Sequence, residues 1–216
     1  MELLNPLQTQ VIRFLRPEPS DGPFFPDIAR AIRRRYSFVA GPETVADFDV
    51  SLDGVAFGHG HLQGSVIDSF KVYQEGIVAE ARLSSEVIDG FLDDLQEFVS
   101  SEFGVKLGPG AGPKRLYVSR IEVRSDAPLT AALARLDPFF DALTVAVRSY
   151  GLNAQGYGLG GLTAVSDLSG EGQVKPGRFT FERRTGHLLS ENVFFSEAPV
   201  STAEHLSLLK TLEALL

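Results

Sequence analysis

Residues 45–83 read VADFDVSLDGVAFGHGHLQGSVIDSFKVYQEGIVAEARL, and three glycine-marked turns cut this stretch into four strand-length pieces. The turns are Asp53-Gly54, Gln63-Gly64 and Glu75-Gly76, each short enough to force antiparallel pairing. The pieces alternate with the period of two expected of half-buried strands. In 45–52, Ala46, Phe48, Val50 and Leu52 oppose Asp47, Asp49 and Ser51; in 55–62, Val55, Phe57, His59 and His61 share one face. Residues 65–73 gather Val66, Phe70 and Val72, and the fourth piece sets Ile77, Ala79, Ala81 and Leu83 against Glu80 and Arg82. The expectation is a four-stranded meander.

An amphipathic helix follows over 85–103, with Val87, Ile88, Phe91, Leu92, Leu95, Phe98 and Val99 at three- and four-residue spacing and Gly104 as its C-cap. Its outer face carries Glu86, Asp89, Asp93, Asp94, Glu97 and Glu102, with no intrahelical Lys or Arg to neutralise them. Upstream, Asn5-Pro6 reads as N-cap and first helical residue, so Leu7, Val11, Ile12, Phe14 and Leu15 suggest a docking helix ended by Pro17. Pro26 opens a second helix to about Arg35, with Ile28, Ala29 and Ile32 inward. Arg30, Arg33, Arg34 and Arg35 crowd its last turn, where cations oppose the helix dipole.

The run 108–113, Gly-Pro-Gly-Ala-Gly-Pro, marks a boundary between lobes. Beyond it a strand is expected over 116–123, then a helix beginning near Pro128 and another from Asp137-Pro138 to Gly151. Phe139, Phe140, Leu143, Val145, Val147 and Tyr150 leave little of that last helix polar, which predicts burial. Three strand-like pieces at 162–168, 178–183 and 188–195 come next, with a turn at Thr185-Gly186. A C-terminal helix is capped by Ser201 or Thr202 and carries Leu206, Leu208, Leu209, Leu212, Leu215 and Leu216. The fold class is therefore α+β: antiparallel β-meanders packed against amphipathic helices, as two similar βββα lobes. The expected division is 1–42, 43–107 and 114–216, or one continuous domain.

Composition bounds the function. The chain has 216 residues, 44% hydrophobic and 22% charged, an ordinary globular balance. No apolar run approaches the roughly 18 to 20 residues that span a bilayer, and the start lacks a signal-peptide pattern, so a soluble cytoplasmic protein is expected. Cysteine is absent, which removes disulfides, thiolate nucleophiles and thiolate metal sites. Net charge is −8, with the acidic excess after residue 40, which disfavours phosphate backbones and favours a basic partner.

Three patterns invite chemistry. Gly58-His59-Gly60-His61 sets two imidazoles at i and i+2, a spacing zinc sites use, but a third ligand must come from Asp47, Asp49, Asp68 or His187. The glycine-rich run 156–161 follows a helix and precedes a strand, the reverse of a phosphate-binding loop, so it reads as a connector. Ser190, Ser196, Ser201, His187 and His205 lie close in sequence without a nucleophile elbow. The leading expectation is a non-catalytic protein-binding or assembly protein, of the bacterial or phage accessory and immunity kind, without cofactor. It would engage a basic protein, or itself, through Glu86, Asp89, Asp93, Asp94 and Glu97 with Arg33, Arg34 and Arg35. The alternative is a metal-dependent hydrolase at His59 and His61.

Overall fold

The computed structural model describes residues 1–17, 24–50, 53–109, 115–125, 136–151, 156–166, 177–188 and 191–215. Strands are β1 (Glu2–Pro17), β2 (Val55–Leu62), β3 (Ser65–Tyr73), β4 (Gly76–Ala81), β5 (Leu107–Pro109), β6 (Arg115–Arg124), β7 (Gly161–Ala164), β8 (Phe179–Arg183) and β9 (Val193–Ala198). Helices are α1 (Phe25–Arg35), α2 (Ser85–Phe103), α3 (Asp137–Ser149) and α4 (Thr202–Leu215). The fold is α+β. One antiparallel sheet runs β2-β3-β4-β1-β6-β9-β8-β7, with β5 added to the end of β1.

The hairpin at Gln63-Gly64 forms as its residues dictate, whereas the next one turns a residue earlier than expected, at Gln74-Glu75, with Gly76 already paired to Tyr73 as the first residue of β4. Gln63 and Gly64 both hold positive φ, 50° and 83°, as a two-residue hairpin turn requires. Helix α2 fills its expected span and closes on Gly104 in the left-handed conformation at φ 66°.

Two elements differ from expectation. The first piece of the meander is not a strand: Val45–Phe48 is a single 3-10 turn, so Asp53-Gly54 does not join a hairpin. Thr44 and Asp47 close a reciprocal capping box, and the Asp47 carboxylate accepts the backbone N–H of Glu43 and Thr44 at 3.0 and 2.7 Å. Those two backbone bonds, foremost the one from Thr44, hold its carboxyl below the usual range. The meander's fourth strand comes instead from the segment expected to be the docking helix. Residues 2–17 form β1, at the centre of the sheet between β4 and β6. A central strand has apolar groups on both faces, which mimics a helical stripe, and Asn5-Pro6 lies where the β1·β6 register shifts rather than at a helix cap. The decisive alternation was there: Thr9, Val11 and Arg13 are buried, and Gln10 and Ile12 between them are only half-buried.

The chain traverses the same path twice. The order β1-α1-β2-β3-β4-α2 recurs as β6-α3-β7-β8-β9-α4, and the sheet reads the same from either edge. Ladder pairing fixes the equivalence residue by residue. Ala81 pairs with Thr9 as Ala198 pairs with Ser119, and Ala79 pairs with Phe70 as Ser196 pairs with Phe181. Thr9 and Ser119 are themselves partners, so a local two-fold axis passes between them. Glu80 and Glu197 match, and β4 and β9 share one pattern of burial along their lengths. The three residues after each of these strands bring Ser85 and Thr202 to equivalent places as the first residues of α2 and α4.

The halves do not pack equally. The first encloses a large core in which Phe38, Phe57, Phe70, Phe91 and Tyr36 meet edge to face or tilted, with Phe38 and Phe70 stacked. The second has a small one of Ile121, Val123, Phe181, Phe194 and Leu209. The predicted burial of α3 is overturned: Phe139, Val145 and Tyr150 are exposed, and Thr144 is its buried residue among those described. The Thr144 hydroxyl donates to the Phe140 carbonyl and accepts the Tyr157 N–H. The helix start expected near Pro128, the core of the glycine-rich boundary at 110–113, Ser190 and Leu216 lie outside the described residues.

Candidate functional site

The acidic face of α2 meets cations brought from other elements. Arg13, buried on β1, donates from Nη1 to Asp93 at 2.6 Å and from Nη2 to the Asp89 carbonyl at 2.9 Å and to its carboxylate. Arg115 on β6 stands 3.3 Å from Asp89, whose other oxygen accepts the Tyr117 hydroxyl at 2.9 Å. Burial first, then the Asp89 bond, pushes the Tyr117 hydroxyl up, against the opposing effect of Arg115. Sequence spacing along α2 could not reveal these partners, because they are supplied by strands of both halves.

Asp94 faces α1. Arg35 Nη2 donates to it at 2.9 Å and the Tyr36 hydroxyl at 2.6 Å. Burial alone would raise the Asp94 carboxyl, but these two donors outweigh it and hold it low. The same contact raises the Arg35 guanidinium, which also lies 4.6 Å from the centroid of the Phe98 ring. Arg33 bridges to the Phe38 and Val39 carbonyls and to Glu43, and Arg34 is exposed. Glu86 accepts from the Ser85 hydroxyl and the Ala203 N–H; burial opposes its ionisation, and these and neighbouring donors prevail. Glu97 and Glu102 project into solvent. Of the acids expected to meet a partner, four are therefore engaged within the chain, and Glu97 is presented outward.

His59 and His61 do not lie with Val55 and Phe57. The pairing of β2 and β3 breaks between Gly58/Ser69 and Gly60/Ile67, where His59 adopts φ 54°. The alternation turns over there, so Gly60 and Ile67 face inward and both histidines are exposed. A Cβ at Gly60 would come within 2.3 Å of the Phe38 ring, which is why the position is glycine. Residues 36–40 run along this edge: Tyr36 accepts the His61 N–H at 2.7 Å, and Ala40 exchanges bonds with Gly58. Among the described residues, no group of three His, Asp or Glu side chains gathers around a common point. His187, a suggested third ligand, pairs with Glu191 at 2.6 Å.

The serine and histidine candidates do converge, but away from solvent. His205 on α4 contacts Ser196 at 2.8 Å and Ser119 at 3.2 Å, all three fully buried. Ser119 reaches Thr202, and there the two halves cap each other: Ser85 N–H donates to the Thr202 hydroxyl at 3.0 Å, and Thr202 N–H to the Ser85 hydroxyl at 2.8 Å. A serine beside an imidazole could be activated only if substrate could reach it, so this network is a seam between repeats. Burial lowers the His205 imidazole to about 4, so it is neutral in the folded chain at pH 7. Protonation then favours the unfolded state, where histidine titrates near 6.5. Stability is full above that value and falls as pH drops toward 4, losing about 2 kcal/mol by pH 5. Urea midpoints at pH 7 and pH 5 should show this loss, and His205→Gln should remove the slope it contributes.

Exposed large apolar residues occur in both halves, among them Phe24, Val39 and Val45 in the first and Phe139, Val145, Tyr150, Leu208 and Leu215 on α3 and α4 of the second. Comparison with protein families, curated proteins and solved structures finds no match. No described helix is long and apolar enough to cross a membrane.

Proposed function

We propose that this is a non-catalytic protein-binding protein that engages a basic partner through its second half, an accessory or immunity-type role. The observation supporting this reading is the uncovered apolar surface of α3 and α4, with Tyr150 and Leu215 each about four-fifths exposed (81% and 79%). Contiguous exposed apolar surface marks interaction sites, and the seven-residue spacing of Leu208 and Leu215 sets them on one face of α4. The net charge of −8, with Glu97 and Glu102 projecting from α2, favours a cationic protein and would speed its approach.

A photo-reactive residue at position 211 of the full chain, exposed between Leu208 and Leu215, should trap one dominant protein in the native cell. Capture should be lost in Leu208→Asp with Leu215→Asp, and should weaken with salt and with Glu97→Lys plus Glu102→Lys. Charge reversal at Asp93 or Asp94 would test folding instead, because both carboxylates are bound within the chain. A chain that crosslinks to nothing, or equally to many proteins, would sink the proposal.

A further inference from the structure

The halves part company at the first helix of each repeat, and the repeat itself shows what fills the gap. Aligned on their C-terminal ends, α1 and α3 share Phe25 with Phe139, Asp27 with Asp141, Arg34 with Arg148 and Tyr36 with Tyr150. Each then passes through a left-handed residue, Ser37 at φ 51° and Gly151 at φ 79°. Helix α1 delivers Tyr36 to α2, with its ring centroid 5.0 Å from that of Phe91 and 6.4 Å from that of Phe98. Counted from Ser85 and Thr202, the corresponding places on α4 are Leu208 and Leu215, and Asp94 corresponds to Thr211. Tyr36 is 1% exposed, whereas Tyr150 is 81%, Leu208 52% and Leu215 79% exposed. The seat and the helix that matches it are both bare.

We propose that α3 docks in cis on α4, with Tyr150 against Leu208 and Leu215, and that this closed form alternates with the open arrangement described above. The repeat argues for cis, since α1 docks within its own half. The connection entering α3, from Arg124 to Asp137, is longer than that entering α1, from Pro17 to Phe25, while the one leaving α3, from Ser149 to Gly161, is shorter than that from Arg35 to Val55. Openness has a cause as well: the Arg35–Asp94 ion pair that latches α1 is replaced by Ser149 and Thr211. A two-state element lacking its latch is readily shifted by whatever binds one state better. If the protein-binding reading holds, closure covers the partner's seat and α3 is autoinhibitory; that consequence alone rests on that reading.

The absence of cysteine makes the test direct. Ser149→Cys with Thr211→Cys occupies the two latch positions on exposed parts of α3 and α4. A short bismaleimide should join them within one purified chain, giving product of monomer mass. The rate should fall about tenfold when Leu208→Asp and Leu215→Asp are added, since the open form then dominates. In an independent variant, Ser149→Arg with Thr211→Asp should restore the latch and slow hydrogen exchange across α3. Crosslinking only between chains would show exchange with a second copy, and no crosslink, or one indifferent to the aspartates, would show that α3 has no seat on α4. Each of these overturns the proposal, and none depends on finding a partner.

Discussion

Phe91→Ala is expected to destabilise the protein by about 3 to 5 kcal/mol, while Leu208→Ala, at the same place in the second repeat, should change stability by less than about 0.5 kcal/mol. Phe91 is fully buried, and its ring meets those of Tyr36, Phe38 and Phe70 at centroid distances of 5.0, 6.4 and 5.7 Å. Truncation leaves a cavity walled by three large rings that cannot collapse without leaving their own contacts. Leu208 is half exposed and its removal opens no void. Urea unfolding followed by far-ultraviolet circular dichroism measures both. Equal costs would mean that Leu208 is covered in solution, the result expected if α3 is predominantly closed.

Arg13→Met should cost about 2 kcal/mol, because it removes the buried guanidinium to which the Asp89 carboxylate and carbonyl are bonded, while the more exposed Asp93 can be solvated. Arg13 is 3% exposed and serves both Asp89 and Asp93. Arg115 and Tyr117 remain near Asp89, so the loss should fall below the range for fully buried pairs. Asp89→Leu added to Arg13→Met should recover a large part of it, since a well-filled apolar pair can replace a buried ionic one. If the single variant is as stable as the parent, the network is an ornament of the surface.

The parts legible in the sequence were those decided locally. Gln63-Gly64 joins β2 to β3 and Gly104 ends α2 through backbone conformations that few other residues accept, while Gly76 leaves room for the Arg13 carbonyl where β4 meets β1. The shared order of elements in the two halves was also visible. What escaped were long-range effects: β1 reads as a helix because apolar residues on its half-buried face blur the period of two, and Arg13 looks like a polar helix position because Asp89 lies far along the chain. His59 escaped for a different reason, since a left-handed histidine within a strand leaves no mark in the alternation. The candidate surface was less legible than the fold. An apolar α3 signals burial in any sequence, and only comparison with its repeat shows that it stands open.

The central place of β1 bears on how the chain is made. β1 ends at Pro17 and its first neighbour, β4, begins at Gly76, so on the order of sixty residues must leave the ribosome before either edge of β1 can pair. At roughly 5 to 20 residues per second, that leaves a strand rich in branched apolar residues unpaired for seconds. A charge within such a strand opposes its pairing with a second copy, and Arg13 carries one throughout the interval before its partner Asp89 is synthesised.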